Sequence, residues 1–122
     1  MSGIKIFIGM LTLSNSHRYF VYQDFCNMRY GFNSLGGLVN NSMKEDLLSG
    51  DIFIFFNRRR NQCKLLRFSG DGFELFHKKL IKGTFEIPED GEIEAFQLQL
   101  LLEGVVVDSF SKKVRFSLKK TA

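Results

Sequence analysis

Short apolar runs separated by polar breaks set the frame of this chain. Arg18–Tyr22 (RYFVY) is rich in β-branched and aromatic residues and predicts a strand. Beyond it, Met28, Phe32, Leu35, Leu38 and Val39 recur at helical spacing. A helix over 28–40 is therefore expected, with Asn27 as its N-cap and Asn40-Asn41-Ser42 as its end. Phe32 and Leu35 fall on its apolar face and are predicted to be buried. Gly31, Gly36 and Gly37 each cost such a helix about 1 kcal/mol relative to Ala. The helix must then rest on packing, and the glycines suit close approach to a neighbour.

Ile52–Phe56 is apolar at every position, which predicts a strand covered on both faces. Cys63–Phe68 and Phe73–His77 follow as further strands, joined by Ser69-Gly70-Asp71-Gly72, whose glycines supply the positive φ of a hairpin turn. Residues 51–77 thus read as a three-stranded meander whose first turn, Asn57–Gln62, carries Arg58, Arg59 and Arg60 at its tip. Ile81–Phe85 is expected to continue into a short strand, and Pro88 opens an acidic loop. Glu92 and Glu94 precede a Leu-rich helix over about Ala95–Glu103; acids suit its positive end, and Gly104 stops it. Val105–Val107 and Val114–Leu118 read as a last strand or hairpin. The expected fold is α+β, an antiparallel meander of about three to five strands with two main helices covering its apolar face. One domain over 1–122 is expected, with a basic tail at 109–122 that is either a last strand or flexible.

Composition agrees with a packed domain: 122 residues, 44% hydrophobic and 25% charged, with fourteen Phe and no Trp to fill the core. Cys26 and Cys63 lack CxxC spacing and read as small buried hydrophobes in a reducing compartment. No run approaches the roughly 18 apolar residues that span a bilayer. IKIFIGMLTL, near the N-terminus, lacks a small-residue cleavage site. A cytoplasmic protein with no membrane partner is expected.

Charge changes the picture more. The net charge of +4 hides segregation: residues 58–82 hold eight basic groups against Asp71 and Glu74, residues 83–108 hold seven acids and no Lys or Arg, and residues 109–122 hold five bases and no acid. Such blocks predict a bipolar surface whose basic part suits a polyanion. Arg58, Arg59 and Arg60, widened by Lys64, Lys78, Lys79 and Lys82, form the candidate nucleic-acid site, since arginine forks match phosphate and lysine adds point charge. The plainer reading is a solvated tip that guards the sheet against edge pairing. The rival function is a protein adaptor working through the acidic segment 86–103, because Phe96, Leu98, Leu100, Leu101 and Leu102 exceed one narrow stripe.

Catalysis finds little support. The acids cluster in one loop and a helix rim, where solvation explains them, and Asp71 between two glycines reads as a turn former. His17 and His77 stand sixty residues apart without a ligand at metal spacing. Gly70-Asp71-Gly72 has neither dinucleotide-fold nor P-loop spacing. No catalytic residue, metal or cofactor is expected.

The ordered set Met28-Arg29-x-Gly31-Phe32-x-x-Leu35-x-x-Leu38-Val39, Ser49-Gly50-Asp51-Ile52-Phe53-Ile54-Phe55, Arg59, Lys64-Leu65-Leu66 and Gly70-Asp71-Gly72-Phe73 resembles a known family. Leu75-Phe76-His77-Lys78-Lys79-Leu80-x-x-Gly83-x-Phe85 and Leu98-x-x-Leu101-Leu102-Glu103-Gly104 complete the pattern. It is the small TnpB-type accessory protein of bacterial transposons in the insertion sequence 66 group, matched from about Met10 to Val105. Arg67 and Phe68 stand where members often carry Trp, and His77 where Tyr is usual. The resemblance implies a non-catalytic helper encoded beside a separate transposase, with DNA and that transposase as expected partners.

Overall fold

The computed structural model describes residues 5–8, 11–14 and 16–104. In chain order its elements are strands β1 (Lys5–Ile8), β2 (Leu11–Ser14) and β3 (Tyr19–Phe25), helix α1 (Phe32–Leu38), strands β4 (Ile52–Phe56), β5 (Gln62–Phe68), β6 (Phe73–Lys79) and β7 (Glu92–Ile93), and helix α2 (Ala95–Leu102). β1 and β2 pair as an antiparallel hairpin. The other five strands form one sheet in the order β6-β5-β4-β3-β7. The fold is α+β, as the pattern predicts, and the 51–77 meander is present as β4-β5-β6. Ser69 N–H donates to the Gly72 carbonyl at 2.8 Å to close its second turn, where Gly70 has φ +96°.

β4 lies at the centre of the sheet and is wholly buried, with its side chains divided between two cores. Phe53 and Phe55 join Phe20, Leu66 and, from α1 and its extension, Leu35 and Val39. Ile52, Ile54 and Phe56 join Tyr19, Val21, Leu65, Phe85 and the α2 residues Leu98, Leu101 and Leu102 on the other face. The helices therefore lie on opposite faces instead of sharing one. This explains why β4 is apolar throughout: a strand covered twice has no wet face for alternation to mark. The sheet is also mixed, because β3 runs parallel to β4 while the other neighbouring pairs are antiparallel.

α1 starts later than its periodicity suggests. Asn27 does not cap it; its side chain accepts the Arg29 N–H at 2.9 Å and its carbonyl the Tyr30 N–H at 3.0 Å, forming a separate turn. The first helical bond runs from Leu35 N–H to the Gly31 carbonyl. Asn40-Asn41-Ser42 do not end the helix either, since Val39–Met43 continues as a π turn closed by Lys44 in the left-handed region. Gly36 is the glycine at a close approach: a Cβ there would meet Leu47 Cδ2 at 2.8 Å, and the tip of the Leu47 side chain would have to shift. Leu35 is fully buried, but Phe32, the first helical residue, is 46% exposed, contrary to the expected burial of both.

Ile81–Phe85 is an irregular loop instead of the expected strand. It hangs on the β4–β5 turn through Leu80 N–H to the Asn61 carbonyl and Phe85 N–H to the Arg60 carbonyl, which leaves Ile81 outside and Phe85 buried. α2 matches its prediction closely, with Glu94 and Gln97 forming a reciprocal capping box and Gly104 following at φ +84°. The predicted strands at Val105–Val107 and Val114–Leu118 lie outside the described residues. No helix among the described residues is long and apolar enough to cross a membrane.

Cys63 is buried and Cys26 partly so. Burial pushes the Cys26 thiol up to about 11, against a smaller opposing pull from Lys64, and raises Cys63 as well. At pH 8 the thiolate fraction of Cys26 is then on the order of 0.1%. A thiol reagent followed by mass spectrometry should modify Cys26 slowly and Cys63 only on unfolding. Fast labelling of Cys63 in the folded protein would contradict this packing.

Candidate nucleic-acid interface

The β4–β5 turn is built by one side chain. Asn57 Oδ1 accepts the N–H groups of Asn61 (3.0 Å) and Gln62 (2.9 Å), and its Nδ2 donates to Asn61 Oδ1 at 2.7 Å. Arg60 N–H donates to the Asn57 carbonyl, and Arg60 itself sits at φ +58°, a conformation costly for a side-chain-bearing residue. The asparagine bonds fix a tip whose three arginines all point into solvent. Arg58 also lies over the Phe25 ring, 5.4 Å from its centroid, which restricts where the guanidinium can go.

Neighbouring segments extend the basic surface. The 80–85 loop, tied to the tip at both ends, holds Lys82 beside it, exposed. Lys79 stands exposed at the end of β6, opposite Gln62. From the other side comes the turn after β3. Cys26–Arg29, Asn57–Arg59, Gln62 and His77 line an open depression of about 520 Å³. Arg29 and His77 thus join Arg58 and Arg59, a grouping that sequence spacing did not disclose because Arg29 lies in the crossover before α1. None of Arg29, Arg58 and Arg59 has a carboxylate partner among the described residues. His77 Nε2 meets Gln62 Oε1 at 2.8 Å, and its pKa is lowered first by burial and then by Lys64.

Two of the lysines predicted to widen the patch are engaged elsewhere. Lys64 is only 6% exposed, and its ammonium donates to the Met28 (2.6 Å) and Tyr30 (2.7 Å) carbonyls, pinning the turn before α1. Lys78, on the opposite face, donates to the Leu102 carbonyl at the C-terminal end of α2, where a cation also complements the helix dipole. The tip therefore gathers Arg58, Arg59, Arg60, Lys79 and Lys82, gains Arg29, and does not include Lys64 or Lys78.

The acidic segment is likewise partly structural. Glu92 pairs with Arg18 through two N–H donors at 3.2 Å, and that bond holds its carboxyl below the ordinary range. Glu94 caps α2. On α2, Leu98, Leu101 and Leu102 are buried, whereas Phe96 is 51% exposed.

A mixed sheet between two helices, with an arginine tip held by Asn57, defines a small α+β protein. The family model described as IS66 Orf2 like protein matches residues 17–112. The chain belongs to the IS66 Orf2-like family, whose members are accessory proteins of insertion-sequence transposition. The match begins after the N-terminal hairpin and reaches beyond Val105, where the sequence resemblance ended. Two uncharacterized proteins of Sinorhizobium fredii (strain NBRC 101917 / NGR234) are similar over 100 residues, 79% of this chain. They are y4hO, 34% identical over 87% of its length, and y4jC, 30% identical over 86%. No solved structure matches the chain.

Proposed function

We propose that this protein assists transposition as a non-catalytic cytoplasmic helper that holds DNA by its phosphates on the β4–β5 tip. The observation that carries the reading is the tip itself: three exposed arginines on a turn fixed by Asn57, flanked by Arg29, Lys79 and Lys82. A protruding basic ribbon also suits a nucleic-acid groove in shape. Contacts of this kind position a protein on DNA without reading bases.

If about four or five phosphates are neutralised, log affinity should fall against log salt with a slope of roughly −4. Replacing Arg58, Arg59 and Arg60 with Ala should leave the melt unchanged and flatten that slope by about one unit per lost contact. It should weaken random and terminal-repeat DNA alike. A triple variant that binds as the parent does at every salt concentration would return the arginines to a solvated turn.

Exposed Phe96, on a helix within the acidic segment, supports a second reading, an adaptor that docks the element's transposase. A pull-down of the transposase that resists salt and is lost in Phe96→Ala would favour it over DNA binding.

A further inference from the structure

Phe32 and Phe73 are both large, both substantially exposed, and neighbours: their ring centroids lie 6.3 Å apart, and Phe68 backs Phe73 at 5.2 Å. Isolated exposed apolar residues need no explanation, but a propped aromatic pair beside a cationic surface invites one. The pair shares a sheet face with the depression. β6 alternates its side chains, so Phe73, Leu75, His77 and Lys79 all lie on the α1 side, where Leu75 packs into the same core as Leu35. At a strand rise of about 3.4 Å per residue, Phe73 stands about 14 Å along β6 from His77.

Along this face, stacking surfaces and phosphate-binding groups therefore follow one another. At one end are Arg29, Arg58 and Arg59, without carboxylate partners among the described residues, around an open depression. At the other are two Phe rings. A duplex keeps the faces of its bases stacked inside and offers exposed rings nothing to stack on. An unpaired strand presents both its phosphates and its base faces, which is the combination that aromatic platforms in basic grooves take up.

We propose that the α1 face of the sheet binds single-stranded nucleic acid, with a backbone phosphate in the Arg29–Arg58–Arg59–His77 depression and bases stacked on Phe32 and Phe73. This deepens, and rests on, the reading of the tip as a phosphate-binding surface. It gives exposed Phe32 a use, and it assigns the protein to a DNA state with unpaired ends or melted strands instead of intact duplex.

The test compares a fluorescein-labelled single strand with a duplex of equal length and the same sequence by anisotropy, using the full chain. The parent should prefer the single strand. Phe32→Ala with Phe73→Ala should weaken single-strand binding by at least roughly 5- to 150-fold, the range for losing one base stack, and leave duplex binding essentially unchanged. Phe32→Tyr with Phe73→Tyr should restore it, since the ring face is kept. Unchanged single-strand affinity in the folded Ala variant, or an equal loss on both DNAs, overturns the proposal. So does a parent that binds duplex through its arginines with no single-strand preference, and that result leaves the tip reading intact. A parent that binds neither DNA overturns both.

Discussion

Phe53→Ala is expected to lower the free energy of unfolding by about 3–5 kcal/mol, the range for deleting a large core ring. Phe53 lies in the central strand with no exposed surface. It stacks on Phe20 of β3 at 5.7 Å and 15°, and shares its core with Leu35 of α1 and Val39 of the helix's extension. β3 and β5 hold β4 from both sides by backbone hydrogen bonds, so the walls cannot collapse into the space left behind. Phe32→Ala, by contrast, should cost under about 1 kcal/mol, because much of that ring is already in water. Denaturant melts of the two variants, read at constant m-value, decide the matter. Equal losses would mean that α1 packs its first turn inward.

Lys64→Met is the second large effect, about 2–4 kcal/mol. Methionine keeps most of the buried stem but removes both donors, leaving the Met28 and Tyr30 carbonyls without their ammonium. Arginine should not restore the loss, since its planar fork cannot replace a compact ammonium held between two carbonyls. Hydrogen exchange should show the loss as early opening of the turn before α1. Lys79→Ala, at an exposed site, should stay within about 0.5 kcal/mol of the parent. A Lys64 variant as stable as the Lys79 variant would release Lys64 to the basic surface after all.

These two lysines mark where sequence reading stops. Within one strand pattern Lys64 and Lys79 look alike, and only the carbonyls that lie within reach of each ammonium separate a structural tie from a free charge. Those carbonyls belong to residues more than thirty positions upstream for Lys64, and to the end of α2 for Lys78. The start of α1 was hidden for the same reason. Its periodicity extends back to Met28, but residues 27–30 form a separate turn whose Met28 and Tyr30 carbonyls are held by Lys64 from another element. Periodicity also carries no direction, so it marked Arg18–Tyr22 as a strand without revealing that β3 runs parallel to β4. Nor could spacing bring Arg29 and His77 beside the arginine tip, since that depends on where the crossover lands. What the sequence alone determined is local: the apolar run of β4, the glycine-bearing turn at 69–72, the arginines at 58–60 between two strands, and the acid-started, glycine-stopped helix α2. Each of these is set by backbone preference and by whether neighbouring positions face core or water. The partners of α1, the fate of each lysine and the exposure of Phe32 were decided by tertiary structure, because competition for hydrogen bonds and buried surface is settled between segments distant in the chain.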